Sequence, residues 1–149
     1  MLFASLNRSD AEKVFISVMN ITGETVSAGA ACEWDVVTST DGNAVTAAKS
    51  DSAPGLFAGI IDEATADSAY GLLQVYGFRT SAYVSTASGA DGAPGDWLRA
   101  VSGILMDATY SGAAASGTHM VSLMETVSAI SGMVSTYAGA NKNVFIRAM

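Results

Sequence analysis

The chain has 149 residues, half of them apolar and only 14% charged, with a formal net charge of −7 and one cysteine. That length suits one domain burying roughly two-thirds of its unfolded surface. A membrane-spanning helix is excluded because no apolar run nears the ~20 residues it needs, and an internal disulfide because Cys32 has no mate; direct nucleic-acid binding is disfavoured because the basic residues Arg8, Lys13, Lys49, Arg79, Arg99, Lys142 and Arg147 are scattered where phosphates demand a cluster.

Residues 1–12 show no hydrophobic period and read as an N-terminal arm, with Ser9 or Asp10 able to cap one short helical turn. The start also lacks the basic region and long apolar core of a secretory leader. Residues 13–149 read as a single β-rich domain. Its first apolar run, 14–18, leads into Asn20-Ile21-Thr22-Gly23, read as the turn of a hairpin to the second run, 31–37. In that second run Trp34 and Val36 are expected on one face, with Trp34 anchoring the core. Cys32 beside it reads as a buried small hydrophobe rather than a reactive thiol, since no basic residue is near in sequence.

A polar interval holds Asp41, Asn43 and Asp51, whose spacing lacks the alternating oxygens and terminal Glu of a calcium loop and reads as a solvated turn. Pro54-Gly55 stops it before the run 55–61, and an acidic connection with Asp62, Glu63 and Asp67 leads to the run 71–77. Those carboxylates have no His or basic neighbour in sequence, so a charged loop is expected rather than an acid/base pair. The next run, 78–86, alternates, with Phe78, Thr80, Ala82 and Val84 on one side and Arg79, Ser81 and Tyr83 on the other. Ser88 to Asp96 is turn-rich, without the Lys-Ser/Thr of a phosphate-cradling loop, and short strands are expected at 97–101 and 104–108. Residues 118–137 fit two patterns: Met120, Leu123, Met124, Val127, Ile130, Met133 and Val134 recur at helical spacing, yet 121–127 also reads as a strand.

The resulting fold expectation is a mainly β protein, a compact antiparallel β-barrel or β-sandwich with room for one short helix in the C-terminal third. No catalytic constellation accompanies it. His119 is the sole histidine, no zinc spacing exists, and no Gly-x-Ser-x-Gly elbow surrounds any serine. The chain is therefore not expected to be an enzyme or to hold a cofactor or metal. Its low charge leaves few means of covering a large free surface, so part of its exterior is expected to face other subunits.

Three blocks carry a family resemblance: Asn20-Ile21-Thr22-Gly23 through Trp34-Asp35, then Gly55-Leu56-Phe57-Ala58-Gly59-Ile60, then Tyr70-Gly71-Leu72-Leu73-Gln74-Val75-Tyr76-Gly77. Together with the closing Val144-Phe145-Ile146-Arg147-Ala148-Met149 they cover about a quarter of the chain in separated blocks, and they resemble the small β-rich structural proteins of tailed-phage heads. The resemblance implies a decoration (cement) protein, a homotrimer on the outer capsid surface whose partners are copies of itself and the major capsid protein, with no nucleic acid or membrane partner. Within that reading Arg8 and Lys13, the only cations of the arm region, are the expected capsid contacts. Two other readings stay open: a tail- or fibre-associated virion protein built from the same strands, and a carbohydrate- or ligand-binding module using Trp34, Trp97, Tyr70, Tyr76 and Tyr83 as an aromatic platform.

Overall fold

The computed structural model describes residues 12–38, 42–47, 57–85, 92–101, 103–107, 121–125 and 140–148. Nine strands form where the sequence places short β-branched and aromatic runs between turn formers: β1 Val14–Asn20, β2 Ala31–Trp34, β3 Ala44–Ala47, β4 Phe57–Ile61, β5 Tyr70–Ser85, β6 Trp97–Val101, β7 Ile104–Asp107, β8 Val121–Leu123 and β9 Ala140–Arg147. The expected mainly β barrel is what the chain builds, and no helix occurs among the described residues. Within 118–137 the described part, 121–125, contains strand β8, and the arm, apart from Glu12, lies outside the described residues.

The sheet runs β1-β3-β2-β4-β5-β7-β6-β8-β9, with two further pairings, β1–β5 and β5–β9. Those two contacts close two five-stranded rings that share β5. Closure removes the unpaired strand edges that would otherwise template aggregation. The first ring is β1-β3-β2-β4-β5 and encloses Val18, Val26, Cys32, Val45, Ala58, Ile61, Leu73 and Val75. The second is β5-β7-β6-β8-β9 and encloses Ala82, Val84, Leu98, Leu105, Val121, Leu123, Val144 and Ile146. Each fully buried Ile, Leu or Val side chain contributes about 1.5–3 kcal/mol relative to exposure.

The rings repeat one another strand for strand. In the first, β1 runs parallel to β3 and antiparallel to β5. In the second, β5 runs parallel to β7 and antiparallel to β9. The registers coincide as well. Asn20 opposite Val45 matches Val84 opposite Leu105, Cys32 opposite Ala47 matches Leu98 opposite Asp107, Ala31 opposite Ile60 matches Trp97 opposite Ser122, and Ile61 opposite Leu73 matches Leu123 opposite Val144. Even the bonds that enter the second strand of each ring agree: Gly29 N–H donates to Ile61 O at 2.9 Å and Ile61 N–H to Ala30 O at 3.0 Å, while Gly95 N–H donates to Leu123 O and Leu123 N–H to Asp96 O, both at 2.8 Å.

Three sequence expectations are corrected. The runs 71–77 and 78–86 are one continuous strand, because Gly77 at φ +103° bends the chain without ending it, and a Cβ there would collide with the Glu12 carbonyl. β1 and β2 do not form a hairpin: β1 pairs with β3 and β5, and the intervening loop crosses the barrel end and bridges through Val26 to Thr65. The side chain of Asn20 fixes that crossing, donating to Glu24 O at 2.8 Å and Thr65 O at 2.9 Å while accepting from Thr22 N–H at 2.9 Å. Third, β2 ends at Trp34, so Val36 lies beyond the strand and faces solvent instead of sharing a core face, and Trp34 packs half-buried at the margin of the first core.

Candidate protein-interaction surface

Six large apolar side chains stay exposed among the described residues: Phe15 (37%), Val36 (64%), Val37 (88%), Tyr70 (65%), Leu72 (49%) and Met124 (48%). Five of them belong to the first ring, and register places them together. On β1, Phe15, Ser17 and Met19 point outward. On β5, Tyr70 stands opposite Met19 and Leu72 opposite Ser17, with Phe15 on the diagonal from Leu72. Lys13, also exposed, continues the outward row of β1 towards the arm.

Val36 and Val37 occupy the connection leaving β2 at Trp34, and β3 enters at Ala44 directly beside Met19. They therefore sit at the same end of the ring as Tyr70. The Asp35 carboxylate accepts from Val37 N–H at 2.7 Å and from Thr38 N–H at 2.8 Å. This local Asx-type turn satisfies the backbone and holds the two valines outward. The entropy of ordering an apolar loop tip is thus met before any partner arrives.

The second ring is an internal control. At the matching positions it carries half-buried Phe78 for Phe15 and Tyr83 for Met19, but Asn141 and Asn143 for Tyr70 and Leu72, and it joins β6 to β7 tightly, with Val101 paired to Ile104. One barrel topology therefore closes with asparagine where the first ring has Tyr70 and Leu72, and without a long β2–β3 connection. Tyr70, Leu72, Val36 and Val37 are thus not a requirement of the fold, and contiguous apolar exposure of this kind marks an interaction surface.

The other candidates behave differently. Lys13 lies at the edge of the apolar strip, while Arg8 falls outside the described residues, as do His119, Asp41 and Asp51. The structure does not gather the five aromatics into a platform: Tyr76 meets Phe145 edge-on at 5.4 Å, Trp34, Trp97 and Tyr83 are half-buried, and of the five only Tyr70 is largely exposed. Among the described residues no three of His, Cys, Asp and Glu could together hold a metal ion, and no helix is long and apolar enough to cross a membrane.

Asp62, read from sequence as part of a charged loop, instead pairs with Arg79, and this is a residue the sequence reading missed. Arg79 is 5% exposed, because a register shift between Arg79 and Ala82 turns it inward against the alternation expected for 78–86. Its guanidinium donates to Asp62 Oδ1 at 2.7 Å, to Ile61 O at 3.1 Å and, through Nε, to Ser81 O at 3.0 Å. Buried Gln74 accepts a further bond from it at 3.3 Å. With every direction of the guanidinium fork engaged, Arg79 works as a clamp at the junction of the rings. Cys32 is fully buried, and burial pushes its thiol up to about 12, opposed by a backbone hydrogen bond from Ile61 and reinforced by Glu33. It is an inert core thiol.

No protein-family model and no curated protein matches this chain.

Proposed function

We propose that the chain is a virion structural protein, a decoration or cement protein that sits on the outer capsid as a homotrimer and bridges neighbouring shell subunits. One observation carries the reading: the first ring displays Tyr70 and Leu72, beside Phe15 and Lys13, as an exposed apolar strip where its twin ring has Asn141 and Asn143. Such a strip supports binding to another protein, and the resemblance to tailed-phage head proteins supplies the class of partner. Edge-free rings suit this task, since they offer side chains to a partner without offering strands to aggregate.

The mechanism is linkage. A protein that binds the assembled shell and not its separated subunits shifts the equilibrium away from disassembly, and several chains in one oligomer add avidity without requiring any single strong contact. Lys13 would then flank the apolar contact with positive charge, and Arg8 is the second proposed capsid contact. The test is thermal melting of shells that lack the protein, with and without a saturating amount of it. The reading expects a higher shell melting temperature with the protein bound. An unchanged melting temperature would contradict it.

A further inference from the structure

The two rings dock on one another through surfaces that each ring possesses. The first ring offers the start of β2: Ala31, with Phe57 and Ile60 of β4, packs into the core of the second ring, and Ala31 and Ile60 are fully buried there. The second ring offers β5 around Tyr83 and the β6–β7 turn: Tyr83 N–H donates to Gly29 O at 3.0 Å, and Gly103 O accepts from Ala31 N–H at 2.8 Å. The contact is so close that a Cβ on Gly29 would lie 2.7 Å from Ser81 O.

Because the rings share one topology and register, each surface has a counterpart. The second ring's counterpart of the covered face is Gly95, Asp96 and Trp97 with Ser122, and Met124 stands where the first ring has Asp62, which pairs with Arg79 across the joint. Among the described residues nothing lies within 4 Å of a Cβ built on Gly95, and Met124 is 48% exposed. The first ring's counterpart of the covering face is Ser17 and Met19 of β1 with the β2–β3 connection. That is where Val36, Val37 and Tyr70 stand exposed. One molecule thus carries the register counterpart of each half of its own internal joint.

We propose that a second copy of this chain occupies these surfaces, head to tail, with Val36, Val37 and Tyr70 of one molecule seated against Trp97, Ser122 and Met124 of the next. The joint is made by side chains. In the first ring Met19 N–H already donates to Asn43 O at 2.9 Å, so the backbone slot that admits Gly29 and Ala31 in the second ring is closed, and the exposed valines supply contact area instead. A heterologous joint of this kind closes into a ring or continues as a filament. Closure at three copies would give the homotrimer of the proposed function its interface, yet the inference is carried by the repeat alone and does not depend on shell binding.

The test is light scattering on the full chain without shells, across a wide concentration range, for the wild type and for Val37→Asp and Met124→Asp. Both positions are exposed, and circular dichroism confirms the fold of each variant. Self-association of the wild type, loss of it in each variant alone, and recovery of dimers on mixing the two variants are expected. Recovery follows because each variant keeps the half-joint that the other has lost. A wild type that stays monomeric throughout, oligomers indifferent to both substitutions, or variants that fail to complement on mixing would each overturn the proposal.

Discussion

At the scale of single residues, the chain separates groups that must be satisfied from groups left on display. Asn20, 1% exposed, spends its carboxamide on three backbone groups and a hydroxyl, and without it the buried Thr65 carbonyl would lose about 1–3 kcal/mol of compensation. Cys32 carries a testable sign. Its folded pKa, about 12, lies above the ordinary 9.0, so between those values the folded chain holds a proton that the unfolded chain has released, and folding stability falls as pH rises through that window. Cys32→Ala removes this contribution. Denaturant titrations at pH 8 and near pH 10.5 should show a smaller loss of stability for the variant than for the wild type, and equal losses would contradict the burial account.

Among elements, β5 organises the molecule: its first half closes one ring, its second half the other, and Arg79 clamps the passage between them. Replacing Arg79 by Met keeps the stem but deserts the Asp62 carboxylate, the Ile61 and Ser81 carbonyls and Gln74. Since Asp62 remains a third exposed, water can recover part of that loss, and a destabilisation of about 2–4 kcal/mol is expected by denaturant unfolding; a change under about 0.5 kcal/mol, usual for surface sites, would show that the clamp is ornamental. The sequence made most strands legible, because residues 14–18, 57–61, 71–77 and 97–101 are β-rich runs bounded by turn formers. It hid the continuity of β5, since Gly77 reads as a stop and only its φ of +103° makes it a bend. It also hid the inward Arg79, because a bulge shifts alternation by one residue with no signature in composition.

For the whole molecule, the repeat is the largest feature that the sequence concealed. Equivalent core positions keep apolar character but not identity: Cys32 answers to Leu98, Val45 to Leu105, Ile61 to Leu123, and Val75 to Ile146. A core accepts such exchanges when volume and pattern are kept, so register survives where letters do not. The exposed strip was hidden for a related reason, since alternation locates an outward face without saying whether a neighbour covers it. Once two equivalent rings can be compared, Tyr70 and Leu72 stand out as apolar positions that the fold itself does not need, since Asn141 and Asn143 answer to them. The most direct measurement is co-sedimentation of the chain with capsid shells lacking it, comparing the wild type with Leu72→Glu, a variant whose exposed site leaves stability within about 0.5 kcal/mol. Saturable co-sedimentation of the wild type and a clear loss of binding in the variant are predicted; a wild type that stays in the supernatant, or a variant that binds as well as the wild type, would contradict the account.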